Sequence, residues 1–295
     1  MTLKERLRQP GIIQAPGVYD ALGAILVERA GFDAVYVSGA GISYTQLGRP
    51  DLGMVYPDEL LDQVGRITDR VSLPVIVDGD TGFGGVLNVH RLISGLERLG
   101  ASAVQLEDQV FPKKCGHLDG KEVVSTQEMV SRIAAAVDSR HSADFLIIAR
   151  TDAIAVEGLP QALDRITAYA QAGADVLFVE APTDASMMKS IVDTVAPKPA
   201  MANMIEGGKT PFLDVKALDE IGYRMVIYPN SITRRVVYAV QEMLARLRRE
   251  GTTTGLADQM VQFVELNDIL GRRDLETLEN RWKGFHYSIG AQRRE

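Results

Sequence analysis

The chain of 295 residues alternates between two hydrophobic patterns. Short, continuously apolar runs rich in β-branched residues predict strands buried on both faces, and longer stretches of amphipathic periodicity predict helices. The first pattern recurs in four related segments, "AGFDAVYVSG", "LGASAVQLED", "AGADVLFVEA" and "IGYRMVIYP", which begin near residues 30, 99, 172 and 221. In each of them a glycine stands where a helix would end, and the apolar run follows it.

Four further segments have the same strand-like character. They are "GIIQAPG" at 11–17, "PVIVDGD" at 74–80, "FLIIARTD" at 145–152 and "PAMANM" at 199–204. Eight strands that alternate with helices predict a parallel sheet, and eight repeats favour a closed (β/α)8 barrel of the TIM type. A doubly wound open sheet is the alternative, but no glycine-rich phosphate fingerprint follows the first strand.

The tail from about residue 236 to 295 shows helical patterns and no strand. No linker rich in proline, glycine or serine separates it from the preceding chain. We therefore expect one domain over residues 1–295, a barrel with extra C-terminal helices that pack on its outside or on another subunit.

The amino-acid composition limits the binding partners and the cellular compartment that we expect for this protein. The net charge of −7 argues against nucleic acid and anionic membranes, because both favour a basic surface. No apolar run approaches the roughly 18 residues that a membrane helix needs, and the start "MTLKERLRQP" lacks the apolar core of a secretory signal. A single cysteine cannot form an internal disulfide, so we expect a reducing cytoplasm.

Polar residues cluster where the predicted strands end, which is where barrels of this type place their sites. The groups are Ser38-Gly39-Ala40, Asp78 and Asp80, Glu107 and Asp108, Arg150-Thr151-Asp152, Glu180, Asn203, and Tyr228-Pro229-Asn230. One cleft would thus combine several acids with an arginine and an amide.

Asp78 and Asp80 are two residues apart, so on an extended strand their side chains point the same way. Together with Glu107 of the next strand they would suit a hard divalent cation such as Mg²⁺. The alternative is an ordinary turn, because Asp-Gly pairs are common turn formers. Arg150 would suit a carboxylate or phosphate clamp, or else a structural ion pair with Glu180 or Asp152.

The single thiol, Cys115, lies in the polar stretch "PKKCGHLDGK". Ser125 and Glu128 fit a capping box at the start of the next helix, so residues 111–124 would form a loop over the barrel mouth. Lys113, Lys114 and His117 would favour the thiolate form of Cys115. A mobile loop that carries an acid–base group is typical of an active-site lid, whereas the alternative is an inert exposed thiol.

These residues resemble the isocitrate lyase and phosphoenolpyruvate mutase superfamily, in particular its 2-methylisocitrate lyase and 2,3-dimethylmalate lyase branch. The motifs that carry the resemblance are "VYVSGAG", "GRPDLG", "VDGDTGFG", "LEDQVFPKKCGH", "ARTDA" and "NMIEGGKTP". They run from about residue 34 to 235. The resemblance implies a (β/α)8 barrel whose last helix is swapped between paired subunits, giving a homotetramer.

The resemblance also implies a chemistry: Mg²⁺-dependent cleavage of a carbon–carbon bond in a 2-hydroxy di- or tricarboxylate, an oxo-acid-lyase reaction releasing pyruvate. Mn²⁺ could replace Mg²⁺. The implied metal ligands are Asp78, Asp80 and, through water, Glu107. The implied substrate contacts are Ser38, Gly39, Ala40, Gly116, Arg150, Glu180, Asn203 and Arg234. Cys115 would be the general acid supported by Lys113 and His117, and Tyr36 could help to deprotonate the substrate hydroxyl.

Two departures from the family pattern bear on the substrate. Phe263 stands where lyases acting on the tricarboxylate carry an arginine, which favours a smaller dicarboxylate such as 2,3-dimethylmalate. Pro229 stands where oxaloacetate hydrolases carry a serine, which favours a carbon–carbon lyase. The alternatives are oxaloacetate hydrolysis or decarboxylation, a carboxyphosphonoenolpyruvate phosphonomutase activity, and a non-enzymatic barrel that senses a carboxylate.

Overall fold

The computed structural model describes residues 1–116, 118 and 120–285. Eight parallel strands follow one another in chain order around a closed barrel, and the first pairs with the last. The strands are β1 (Ile13–Val18), β2 (Val35–Val37), β3 (Val75–Asp78), β4 (Ala103–Glu107), β5 (Leu146–Thr151), β6 (Val176–Val179), β7 (Ala200–Asn203) and β8 (Met225–Tyr228). Each predicted strand segment overlaps one of them, so the predicted (β/α)8 fold is confirmed.

Helices separate the strands. They are α1 (Leu3–Leu7), α2 (Ala21–Arg29), α3 (Gly39–Ile42), α4 (Pro57–Thr68), α5 (Val86–Arg98), α6 (Thr126–Ser139), α7 (Ile154–Glu157), α8 (Leu159–Gln171), α9 (Ala185–Val195), α10 (Val215–Ile221), α11 (Ser231–Glu250), α12 (Phe263–Ile269) and α13 (Arg272–Lys283). A π-helix spans Ser43–Leu47 and a 3₁₀-helix spans Thr254–Gln259. The sequence pattern misses α1, α3, α7 and α10, because such short helices show little 3.6-residue periodicity.

Strand side chains alternate between the barrel interior and the layer beneath the helices. On β2, Tyr36 lies in the interior cluster while Val35 and Val37 pack in the outer one. Leu3 of α1 is fully buried in the interior cluster, so α1 covers the amino-terminal end of the barrel. The polar residues predicted from the strand ends are therefore gathered at the opposite, carboxyl end.

Helix α6 starts where the sequence predicts, but only one of the two hydrogen bonds of the predicted capping box forms. The Ser125 hydroxyl accepts a hydrogen bond of 3.1 Å from the backbone N–H of Glu128. The reciprocal bond is replaced, because the Glu128 carboxylate accepts from Arg132 at 2.6 Å instead. The expectation of a complete capping box is wrong, and the ion pair one turn along the helix is the physical reason.

The chain divides into two compact units, Met1–Val237 and Tyr238–Glu295. The first contains the whole barrel. The second contains most of α11 together with α12 and α13. The single-domain assignment for residues 1–295 stays a prediction. In the part of the chain that the structure describes, no helix combines the length and the apolar character that a membrane span requires.

Candidate active site

The turn after β3 brings two carboxylates together. Asp78 Oδ1 accepts a hydrogen bond of 3.2 Å from the backbone N–H of Asp80. A Cβ atom at Gly39 would lie 3.4 Å from both Asp78 Oδ2 and Asp80 Oδ1, so the two side chains converge beside the start of α3. Asp80 has a φ of +47°, a left-handed conformation that aspartate tolerates better than most residues. "VDGDTG" is therefore both a tight turn and a pair of converging acids.

Lys113 ties the segment after β4 to these acids. Its buried Nζ lies 2.8 Å from Asp80 Oδ1 and 2.7 Å from Asp51 Oδ1. Burial acts to lower the pKa of Lys113, but the carboxylates of Asp80 and Asp51 outweigh it and raise that pKa well above its usual value. Asp51 was not predicted as a site residue, although it lies in the motif "GRPDLG".

A hydrogen-bond chain leads from Tyr36 to the acids through the barrel interior. The Tyr36 hydroxyl donates to Gln105 Oε1 at 2.9 Å, and Gln105 Nε2 donates to Asp78 Oδ1 at 3.2 Å. Burial, and then the nearby Asp78, raise the pKa of Tyr36 well above 10. Gln105 was missed as a site residue. Its position two residues before Glu107, on the same face of β4, was the available signal.

Arg150 is surrounded by three carboxylates. Its Nε donates to Asp152 Oδ2 at 2.8 Å and lies 3.4 Å from Glu107 Oε2, while Nη2 lies 3.3 Å from Glu180 Oε2. Phe178 supports the guanidinium from the barrel interior, with the ring centre 5.2 Å away. Arg150 therefore forms the structural ion pairs with Asp152 and Glu180 that the sequence suggested as the alternative to a substrate clamp. It also lines the cavity described below.

Several buried side-chain oxygens of the described residues have no hydrogen-bond partner, and Glu107 Oε1 and Asn203 Oδ1 are the two that belong to predicted site residues and form no ion pair. Asn203 is oriented by its amide Nδ2, which donates to Glu180 Oε2 at 3.0 Å. Unpaired buried acceptors are costly, so each marks a place where a ligand, metal-bound water or substrate hydroxyl can bind.

The Cys115 segment packs directly on the arginine clamp. A Cβ atom at Gly116 would overlap Arg150 and lie 2.7 Å from Glu180 Cγ, so only glycine fits there. Cys115 is half-buried. Burial, and then the neighbouring Cys115, raise the pKa of Tyr44 in the π-helix. The thiol is therefore not fully exposed, and it lines the cavity described below.

A small cavity of about 30 Å³ lies between these groups. The predicted site residues that line it are Tyr36, Ser38, Ala40, Asp78, Lys113, Cys115, Gly116, Arg150, Glu180 and Asn203. Ile205, Ile227 and Pro229 form an apolar part of its wall. Three further predicted site residues lie next to residues that line the cavity. Gly39 is next to Asp78, Asp80 is next to Lys113, and Glu107 is next to Arg150.

Arg234 is a predicted substrate contact that does not line this cavity. Arg234 has a side chain 55% exposed and pairs with Glu206, at 3.3 Å between Nη1 and Oε2. Its role as a substrate contact stays a prediction. His117 lies outside the described residues. Phe263, the position compared with a family arginine, is exposed in the second unit.

The donor set fits a magnesium ion. Burial, and then the nearby Asp78, raise the pKa of Asp80 to about 7 although Lys113 acts to lower it, and burial raises the pKa of Glu107 well above its usual value. Among the described residues, no three histidine, cysteine or acidic side chains come close enough to hold a metal by themselves. Mg²⁺ typically uses one or two carboxylates and keeps several waters, so the Asp78–Asp80 pair and the unpaired Glu107 Oε1 suit it.

A closed parallel barrel with buried charged groups converging at its carboxyl end has the organisation of an enzyme. Residues 3–248 match the family model of phosphoenolpyruvate phosphomutase. The chain is 42% identical to 2,3-dimethylmalate lyase of Eubacterium barkeri, with 95% of this chain and 96% of the relative covered. It is 44% identical to 2-methylisocitrate lyase of Aeropyrum pernix, with 94% and 88% covered.

Solved structures agree. The oxaloacetate acetylhydrolase complex with 3,3-difluorooxalacetate has a TM-score of 0.91 at 34% identity, with 97% of each chain covered. Phosphonopyruvate hydrolase in complex with oxalate and Mg²⁺ has a TM-score of 0.86 at 31% identity, with 96% of this chain and 99% of that chain covered. The chain belongs to the phosphoenolpyruvate mutase and isocitrate lyase superfamily, an enzyme superfamily whose members include the two lyases above.

Proposed function

We propose that this chain is a Mg²⁺-dependent carbon–carbon lyase. Its substrate would be an alkylated 2-hydroxy dicarboxylate such as 2,3-dimethylmalate, cleaved to pyruvate and a short carboxylic acid, with 2-methylisocitrate as a larger alternative. The observation that carries the proposal is that Cys115, Arg150 and Asp78 line one cavity together. The relatedness to 2,3-dimethylmalate lyase and 2-methylisocitrate lyase supports it.

The reaction breaks the bond between C2 and C3 of the substrate. The C2 hydroxyl gives its proton to a general base, C2 becomes the ketone carbon of pyruvate, and the bonding electrons remain on C3 beside a carboxylate. Mg²⁺ held near Asp78 and Asp80 would supply Lewis-acid stabilisation of negative charge on the C2 oxygen. Arg150 would bind the negative charge of the substrate, and its raised pKa keeps it cationic.

Cys115 would deliver the proton that C3 requires. Its thiol lies at the cavity, and Gly116 packs against Arg150 and Glu180 immediately beside it. The wall formed by Ile205, Ile227 and Pro229 suits alkyl substituents better than a further carboxylate. The raised pKa of Tyr36 means that its hydroxyl is protonated at neutral pH in this hydrogen-bond arrangement. We therefore propose its part in deprotonating the C2 hydroxyl separately from the role of Cys115.

The test is product release from a substrate panel, with and without Mg²⁺. Pyruvate would be measured from 2,3-dimethylmalate, other alkylmalates and 2-methylisocitrate, and oxalate would be measured from oxaloacetate. We expect pyruvate from the malates that carry a methyl group at C2, loss of activity with EDTA, and recovery with Mg²⁺ or Mn²⁺. Oxalate release from oxaloacetate alone would instead assign hydrolase activity, which the similarity to oxaloacetate acetylhydrolase makes the second candidate. Full activity after metal removal would refute both.

We also propose that the protein is a cytoplasmic homotetramer in which the α11–α13 tail docks on a second copy. In the first unit, an apolar groove of about 520 Å³ runs beside α2 and is lined by Pro16, Leu26, Phe32, Tyr228 and Ile232, among others. Exposed apolar side chains on α11 include Val236, Val240 and Leu244. Light scattering should give four chains per particle, and Leu26→Glu or Leu244→Glu should reduce that number. A monomeric wild type would refute this.

A further inference from the structure

Lys121 is a buried lysine close to Cys115 in the chain, and only 1% of its side chain is exposed. Its Nζ donates to the backbone carbonyl of Gly116 and to Asp152 Oδ1, the latter at 2.8 Å. A buried ammonium is costly unless such contacts are well made. Lys121 does not line the cavity, so any influence on the reaction passes through the groups that it holds.

The carboxylate that binds Lys121 also binds Arg150. Asp152 Oδ2 accepts from Arg150 Nε at 2.8 Å, and Asp152 Oδ1 accepts from Arg150 Nη2 at 3.0 Å. Burial acts to raise the pKa of Asp152, but Arg150 and Lys121 together bring it below its usual value. Asp152 is fixed in turn by its backbone N–H, which donates to Asp108 Oδ1 at 2.9 Å. One ionised carboxylate thus joins the arginine clamp to the backbone beside the thiol.

We propose that Lys121 is a positioning residue that holds the Gly116 carbonyl, and through it Cys115, in register with Arg150. The inference rests on the proposed function in assigning proton delivery to Cys115. Loss of Lys121 would free the Gly116 carbonyl and leave Asp152 to Arg150 alone. The thiol and the clamp would then no longer be held by one common group.

The kinetic test compares Lys121→Met, which keeps the length but removes the charge, with Lys121→Arg and Lys114→Met. Lys114 is the matched control, because it lies in the same segment and, among the described residues, its Nζ donates to Gly120 O at an exposed position rather than to a group that Lys121 holds. We expect kcat for pyruvate release to fall about 10- to 100-fold in Lys121→Met with KM changed less than about threefold, since the thiol is misplaced while the binding groups remain. Lys121→Arg should recover part of the loss, and Lys114→Met should match the wild type.

A second readout needs no substrate. Cys115 is the only cysteine of the chain, so iodoacetamide labelling reports on this segment alone. The labelling rate should rise about tenfold in Lys121→Met, the change expected when one charge-assisted hydrogen bond no longer opposes local opening. Lys114→Met should label at the wild-type rate. Should Lys121→Met fail to fold, Asp152→Asn tests the same link and should also label faster.

The outcomes separate the two proposals. Wild-type labelling rates in both Lys121→Met and Asp152→Asn would overturn the positioning role, whatever the kinetics. In another outcome, the labelling rate rises in Lys121→Met while the wild-type protein cleaves no substrate of the panel. That pair of results would uphold the positioning role and reject the proposed lyase function.

Discussion

The ammonium of Lys113 lies 2.8 Å from the Oδ1 atom of Asp80, and both side chains are buried. Lys113 belongs to the segment that carries Cys115, whereas Asp80 follows β3. This one ion pair therefore fastens the proposed proton donor to the proposed metal ligand. It makes the geometry of the thiol depend on the same acids that would hold the cation.

Removing Lys113 should destabilise the protein strongly. In Lys113→Met, Asp51 and Asp80 lose a buried partner that lies within 2.8 Å of each, and breaking such a pair costs about 3–5 kcal/mol. The free energy of unfolding should be measured in metal-free buffer by urea denaturation. Lys216→Met is the control, because Lys216 is exposed and lies 3.9 Å from Glu220, and it should change stability by less than about 0.5 kcal/mol. Equal effects of the two substitutions would contradict the structural role of Lys113.

Tyr36 and Gln105 should be energetically coupled. Tyr36→Phe leaves Gln105 Oε1 without its donor, and Gln105→Leu leaves the buried Tyr36 hydroxyl without an acceptor. Each change should cost about 1–3 kcal/mol, whereas the double variant should cost less than the sum, because removing both partners leaves no orphaned group on this bond. Urea denaturation of the four proteins in the cycle measures the coupling. Strict additivity would show that the bond contributes nothing.

Gly116→Ala should lower activity far more than stability. The added methyl group would meet Arg150 and lie close to Glu180, so the segment must shift away from the cavity by a distance that catalysis does not tolerate. We expect kcat/KM to fall by about 100-fold or more, with a melting temperature near that of the wild type. Gly85→Ala is the control, since Gly85 has a φ of −77° and no neighbour within 4 Å of an added Cβ. Similar losses of kcat/KM in both variants would argue against a specific clash at Gly116.

The ion pair between Glu157 and Arg165 should make stability depend on pH. Arg165 Nε and Nη2 each donate to the Glu157 carboxylate at 2.7 Å, and this hydrogen bonding lowers the pKa of Glu157 below its ordinary value of 4.5. A carboxyl whose pKa falls on folding stabilises the protein above its unfolded pKa, and the stabilisation is lost as pH drops through the folded value.

Glu157→Gln should therefore be less stable than the wild type at pH 7, and the difference should shrink below about pH 4.5. Denaturant unfolding at pH 7, 4.5 and 3.5 would measure it. Glu220→Gln, at an exposed position, should differ little from the wild type at any of these pH values. A pH-independent difference for Glu157→Gln would rule out the linkage.

The barrel itself was predictable because its signal is local. Each strand is a short apolar run bounded by glycine or polar residues, and each long helix has an amphipathic pattern. The strand-end rule then placed Asp78, Arg150 and Asn203 at one end of the barrel, where the structure has them. The Cys115 segment was recognisable as a loop because it lacks apolar periodicity.

The contacts among these groups were not predictable, because they join residues far apart in the chain. Lys113 pairs with Asp51, and Lys121 binds the carboxylate of Asp152. Neither spacing follows a helical or strand repeat. Gln105 lies between apolar residues in the middle of β4, where its polar side chain carries no local sign of the tyrosine that it binds.

The sequence by itself determined the fold class, the end of the barrel that carries the site, and the residue types gathered there. Hydrophobic periodicity and strand order are properties of neighbouring residues, so they can be read along the chain. Only the tertiary structure decided which charges are paired, that Arg234 turns to Glu206, and that Gly116 fits closely on Arg150. Those outcomes depend on distances across the closed barrel, which the packing of all eight strands sets together.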